Sequence, residues 1–250
     1  TYGVTLFMPE DDLFTASKKR TLSLLEAIRA LEIPGFRMQF PVALSVNTLS
    51  FELIDSLIDT GLDVASLAIE SGSKYTQRYI IKKNVDLNKA RKWVDYLRTK
   101  EIPVRTSFIL GFPGETREMM EESIEYARAL GVDWCDFFIA TPLAGSEMCQ
   151  EFIDLGYIEN DIEIISRGYY SKRNFDTPEI SGQDLVDLVY RANLVCNFVY
   201  NTNMQLQNWK KALSLFLPIR QKYTFHIIAA DCIRRCYEYL GDDDQEAVIS

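Results

Sequence analysis

A single histidine, His226, stands among 250 residues, which excludes a metal site built on several imidazoles. Cysteine is also sparse. Cys135, Cys149, Cys196, Cys232 and Cys236 are odd in number and sit in apolar or helix-like contexts, unlike a disulfide framework, so reduced thiols are expected. No apolar run approaches the roughly 20 residues that span a bilayer, and the first residues have neither the charged start nor the apolar core of a signal peptide. Positive charge is short as well: 27 Lys and Arg face 36 Asp and Glu, a formal charge of −9. A general nucleic-acid groove instead clusters cations against phosphates. A cytoplasmic protein with no membrane and no nucleic-acid partner is the expectation.

What is present is a globular composition, 47 % hydrophobic, long enough for a barrel portion plus a helical extension. Over the first 150 residues strand signals alternate with helix signals, as in parallel βαβ units. Five strands are expected, at residues 2–8, 40–46, 64–69, 103–110 and 134–140. Between them apolar residues recur at helical spacing: Leu22, Leu25, Ile28 and Leu31; Leu53, Ile54, Leu57 and Ile58; Ala90, Trp93, Val94 and Leu97; Met119, Met120, Ile124, Ala127 and Leu130. A further helical stretch is expected near residues 74–82. The fold class is therefore α/β, a partial (β/α) TIM-type barrel over residues 1–156 with a mainly helical extension over 157–250. In the extension, helices are expected at 181–203 and 209–240, the second broken or kinked at Pro218. Residues 159–178 read as an irregular connection and the acidic run at 241–244 as an end.

In a parallel barrel, ligands are held by the residues that follow the strands. Gly111-Phe112-Pro113-Gly114-Glu115-Thr116 is the most informative such segment. Its glycines permit positive φ, Pro113 stiffens the turn and Thr116 can cap the next helix. Two readings stand here: a tight strand-to-helix turn, or a loop whose exposed amides cradle an anion or a base edge. Ile69-Glu70-Ser71-Gly72-Ser73 places a carboxylate and hydroxyls at a strand end, suited to sugar hydroxyls or to a salt bridge and a cap. Lys82 and Lys83 follow within reach. Asp11 and Asp12 suit acid–base or metal chemistry, or one solvent-facing and one capping role. Cys232 and Cys236 share a helix face and read as core thiols, with no third cysteine at Glu238 or Tyr239.

Together Asp11-Asp12-Leu13-Phe14, Ile69 to Ser73, Gly111 to Thr116 and Pro142-Leu143-Ala144-Gly145-Ser146 resemble the radical S-adenosylmethionine (SAM) superfamily, in its cobalamin-type and anaerobic-cyclase-like branch. The resemblance covers residues 3–150. It implies a [4Fe–4S] cluster, bound by a C-x3-C-x2-C loop after the first strand, that reductively cleaves SAM to start radical chemistry on an unknown small-molecule substrate. An external electron donor is implied, and cobalamin is a cofactor of some members. Asp11 and Asp12 would then sit by the methionine amino group, Glu70 and Ser71 by the ribose, Lys83 at the SAM carboxylate and Ser107 as a weaker ribose contact. Gly111, Phe112, Leu143 and Ala144 would flank the adenine.

The cysteine loop does not occur in these 250 residues, and Ala144 stands where proline is frequent. The expectation is a fragment of a longer enzyme, without cluster and inactive by itself, whose strand 2–8 exposes an edge suited to oligomer contact. The alternatives are a non-catalytic barrel module and an unrelated phosphate-binding barrel enzyme.

Overall fold

The computed structural model describes residues 3–159 and 172–240. The acidic run at 241–244 and residues 160–171 of the expected irregular connection lie outside the described residues. The described strands form one parallel sheet: β1 (Leu6–Phe7), β2 (Arg37–Gln39), β3 (Leu44–Ser45), β4 (Leu62–Glu70), β5 (Val104–Leu110) and β6 (Trp134–Ile139). Their order is β1-β2-β4-β5-β6, with β3 also on β4. β2 and β3 both lie along β4, Met38 opposite Leu62 and Leu44 opposite Leu67, so they fill one barrel position between them. The result is the expected partial (β/α) barrel. The continuous strand expected at 40–46 is corrected to these two pieces, because Pro41 has no N–H to give to a ladder. β1 pairs with β2, and among the described residues its other edge has no strand partner.

Alternation along β4, β5 and β6 separates two faces. Ala65, Leu67, Ile69, Val104, Phe108, Leu110, Cys135, Phe137 and Ile139 are buried on one. The helices carry matching stripes: Leu53, Ile54 and Leu57 on α2 (Phe51–Asp59), Ala90, Trp93, Val94 and Leu97 on α3 (Leu87–Thr99), Met120, Ile124 and Ala127 on α4 (Arg117–Leu130). Each such large side chain taken from water contributes about 1.5–3 kcal/mol before entropy. The opposite face carries Ser66, Glu70, Arg105, Ser107 and Asp136, too polar for a core, and it is this face that stays open.

Helix starts follow local chemistry. Ser17, Ser50, Asp86, Thr116 and Ser146 cap α1 (Lys18–Arg29), α2, α3, α4 and α5 (Glu147–Asp154), each side-chain oxygen accepting from an N–H of the first turn. The helical stretch expected near 74–82 is present at residues 74–80 and widens to a π-helical turn at Thr76–Ile80, closed by Ile81 N–H donating to the Thr76 carbonyl.

The chain divides into two compact units, residues 1–190 and 191–250. Helix α6 (Gly182–Leu194), whose Ser181 hydroxyl accepts from Asp184 N–H, continues into a π-helical turn at Val195–Val199. In the second unit follow α7 (Thr202–Gln205), α8 (Trp209–Lys222) and α9 (Ile227–Tyr239). The break expected at Pro218 does not occur there. α8 runs through it, since Pro218 and Ser214, whose carbonyl loses its donor, are both solvent-exposed, and the chain turns four residues later. His226 caps α9, its Nδ1 accepting from Ala229 N–H. Cys232 and Cys236 are buried free thiols, both pushed up to about 11 by burial, as core packing requires.

Candidate functional site

The last residue of β4, Glu70, adopts φ +71, and Ser71 N–H donates across it to the Ile69 carbonyl at 2.9 Å. This is a tight three-residue turn on a non-glycine residue, a conformation costing of order 1–3 kcal/mol and concentrated at functional sites. The turn lifts the Glu70 carboxylate out of the strand ladder, whose register slips between Ala68 and Glu70. Glu70 Oε1 accepts from Lys83 Nζ at 2.7 Å. Lys83 itself sits between two left-handed residues, Lys82 at φ +55 and Asn84 at φ +49. The loop is held by Asn47, whose Nδ2 donates to the Asn84 carbonyl and whose Oδ1 accepts from Asp86 N–H.

Two cavities meet at this pair. The larger, about 790 Å³, lies on the polar sheet face and is lined by Asp12, Gln39, Ser66, Ser107, Arg105 and Asp136 as well as Glu70 and Lys83. The smaller, about 610 Å³, has an apolar wall of Ile80, Ile81, Ile109, Phe112 and Pro113 and an acidic rim of Glu147, Glu151 and Asp154 on α5, and again includes Glu70 and Lys83. Arg105 is tied to Asp136 at 2.9 Å, and Asp136 also accepts from Trp134 Nε1.

Of the ten residues singled out from sequence, the structure gathers five on these cavities: Asp12, Glu70, Lys83, Ser107 and Phe112. Asp11 turns the other way, accepting from Leu13 N–H and pairing with Arg20 at 3.1 Å, so the adjacent carboxylates divide between a structural and a cavity position. Ser71 is fully buried and lines neither cavity. Its hydroxyl meets the Ser123 hydroxyl at 3.0 Å and accepts from Ser73 N–H, which anchors the turn to α4 rather than facing a ligand. Leu143 and Ala144 form the exposed part of a turn closed by Ser146 N–H on the Leu143 carbonyl, and neither lines either cavity.

Of the two readings of the loop after β5, the structure shows the tight strand-to-helix turn. Phe112-Pro113-Gly114-Glu115 is a β-turn, Glu115 N–H donating to the Phe112 carbonyl with Gly114 at φ +72 as a type II turn demands. The amides of Gly111 and Phe112 do not face solvent. Both donate to Glu115 Oε2, at 2.7 and 3.2 Å, so these two amides bind the loop's own carboxylate rather than an external anion. Glu115 Oε1 accepts from Thr76, and the Arg173 guanidinium lies near, donating to the Gly111 carbonyl and packing over Phe152 and Phe175. Burial pushes the Glu115 carboxyl up to about 7, the four neighbouring donors and cations only partly opposing it.

Sequence reasoning missed Gln77, Asn47, Ser123, Glu115 and Arg173. The first three carry no local signal beyond being polar in otherwise apolar or loop surroundings, and Glu115 stands in the quoted loop motif without a role being read for it. Arg173 reaches Gly111 from 62 positions away. The five cysteines are all buried, and among the described residues no group of three His, Cys, Asp or Glu side chains could hold a metal ion.

Residues 2–127 match the radical SAM superfamily. The chain is 28 % identical over 199 residues to cytidylyl-2-hydroxyethylphosphonate methyltransferase of Streptomyces wedmorensis, covering 77 % of this chain and 36 % of that protein. It is 29 % identical over 150 residues to the uncharacterized methyltransferase PH0819 of Pyrococcus horikoshii, covering 59 % and 31 %. It thus spans about a third of the length of these relatives. Among solved structures, coproporphyrinogen III oxidase of Escherichia coli, a radical SAM enzyme, superposes with a TM-score of 0.55 at 14 % identity, covering 78 % of this chain and 41 % of that one, a likeness of fold. With half its length matched and its half-barrel ending in these strand-end loops, the chain belongs to the radical SAM superfamily.

Proposed function

We propose that this chain holds S-adenosylmethionine for a radical SAM enzyme, with Glu70 and Lys83 as the paired polar anchors. The observation that carries the reading is that these two residues belong to both cavities, one polar and one with an apolar wall. SAM has that partition: a flat base at one end, a zwitterionic amino acid at the other and a ribose between. The base fits against Ile109 and Phe112, and the amino acid extends into the polar cavity. Glu70 has a second carboxylate oxygen to accept from ribose hydroxyls, Lys83 retains two N–H donors for the SAM carboxylate, and Asp12 offers a carboxylate to its ammonium group. Ser107 supplies a hydroxyl on the same face.

In this superfamily SAM supplies radical chemistry after reductive cleavage at a [4Fe–4S] cluster. The described cysteines do not form a ligand set for one, so no step is assigned through it. The electron donor, the further substrate and any cobalamin belong to the proposal for the whole protein, of which two named relatives are methyltransferases. A phosphate-binding barrel is disfavoured because Glu115 already occupies the loop amides.

Calorimetric titration with SAM tests the reading. The chain is expected to bind, and Glu70→Gln and Lys83→Met each to weaken binding by about tenfold or more, the worth of one charged hydrogen bond. The thermal midpoint should barely move, because Lys83 is largely exposed and such ion pairs stabilise little. No binding by the unaltered chain, or equal affinity of all three proteins, would overturn it.

A further inference from the structure

Gln77 lies in the π-helical turn and is 3 % exposed. A buried amide is costly unless its donors and acceptor are satisfied, and here they are. Nε2 donates to the Ile69 carbonyl at 2.6 Å and to the Ser71 carbonyl at 2.8 Å, the two carbonyls that flank Glu70. Oε1 accepts from Val85 N–H at 3.2 Å, and the Gln77 main-chain carbonyl accepts from Asn84 N–H at 3.3 Å. Two carbonyls on one side and an N–H on the other fix which way the amide points.

We infer that Gln77 is the positioning residue of the Glu70–Lys83 pair, clamping the strained turn that carries the carboxylate to the strained loop that carries the ammonium. Glu70, Lys82 and Asn84 all have positive φ, which glutamate and lysine rarely adopt and asparagine tolerates. Each must be held by its surroundings, and Gln77 is bonded to both segments. Without the clamp the two anchors lose their common frame, and a ligand that needs both loses affinity although neither contact residue has changed. An apolar side chain at this position would fill the volume without fixing either segment. The inference rests on the SAM reading only for its ligand readout.

Gln77→Met removes every side-chain polar atom of the clamp at similar length and leaves the main-chain bond from Asn84, and Gln77→Glu keeps an acceptor for Val85 while losing both donors. The full chain and both variants are titrated with SAM. Separately, Lys83 acetylation by acetic anhydride is followed by peptide mass spectrometry, with exposed Lys74 as internal reference. Both variants are expected to weaken SAM binding about tenfold or more and to raise Lys83 reactivity about threefold relative to Lys74, as its ion pair opens. In a Glu70→Gln background, Gln77→Met should change SAM affinity by less than about threefold, because the contact it positions is already impaired.

A merely structural glutamine gives another pattern, and any part of it overturns the inference: the same loss of affinity in both backgrounds, or folded variants with unchanged Lys83 reactivity. If the unaltered chain binds no SAM, the SAM reading fails by itself. The Lys83 measurement then decides the role of Gln77 alone.

Discussion

Gly111→Ala is expected to destabilise the first unit by about 3 kcal/mol or more, the sum of a left-handed backbone and a clash. Gly111 has φ +86, and a Cβ there would stand 2.5 Å from Leu185 Cδ2 and 3.0 Å from an Arg173 guanidinium nitrogen. Leu185 is fully buried on α6 and Arg173 is held by the Gly111 carbonyl, so neither retreats cheaply. Gly114→Ala is the control. Its φ is +72 but a Cβ there meets nothing within 4 Å, so it should cost only the backbone part, about 1–2 kcal/mol. Urea unfolding followed by circular dichroism separates the two contributions. If the alanines prove equally mild, Gly111 is a turn residue and not the seat of α6.

That glycine shows where sequence reading succeeds and where it stops. The loop 111–116 announces itself locally: Pro113 and Gly114 sit at the two central positions of a type II turn, and Thr116 caps α4. The same holds for the alternation that separates Ala65, Leu67 and Ile69 from Ser66 and Glu70. The five strand positions were legible because turns and caps are decided within a few residues and one sheet face is decided by burial.

What no local pattern contains is the partner. Asp11 and Asp12 are adjacent and chemically equal, and only Arg20, one helix later, draws Asp11 away from the cavity. Ser71 and Glu70 are neighbours in one motif, yet the tight turn between β4 and the π-helical segment sends one to α4 and the other to Lys83. Glu115 stands in the loop motif with no partner evident from sequence, and it serves its own loop's amides. Pro41 shows the same limit in the backbone, splitting a strand whose apolar pattern is unbroken.

Glu115 also makes the stability of the fold depend on pH in a direction opposite to the usual carboxylate. Burial raises its pKa from 4.5 to about 7, the hydrogen bonds from Gly111, Phe112 and Thr76 and the charge of Arg173 recovering only part of the desolvation cost. Between those values the folded chain holds a proton that the unfolded chain has released, so ν_U − ν_N is negative and stability falls as pH rises. The loss should be complete above about pH 7 and amount to about 3 kcal/mol.

Glu115→Gln tests the sign. Its amide oxygen can still accept from the loop N–H groups and it does not ionise, so this contribution to the pH dependence should be absent from pH 5 to pH 8 and the variant should overtake the unaltered chain at the alkaline end. Urea titrations of both proteins across that range measure the crossing. Should the variant instead fall behind as pH rises, attraction between an ionised Glu115 and Arg173 outweighs burial, and the sign is reversed. Glu115→Ala fixes the scale independently. It leaves the Gly111 and Phe112 amides and the Thr76 hydroxyl without their acceptor and removes the carboxylate beside Arg173, which should cost about 3–5 kcal/mol at pH 5 and about 3 kcal/mol less at pH 8, where the unaltered chain has itself lost the Glu115 contribution. A loss that large at pH 5, in a residue lining neither cavity, would mean that the loop whose Phe112 and Pro113 line the smaller cavity is held from beneath by this one side chain.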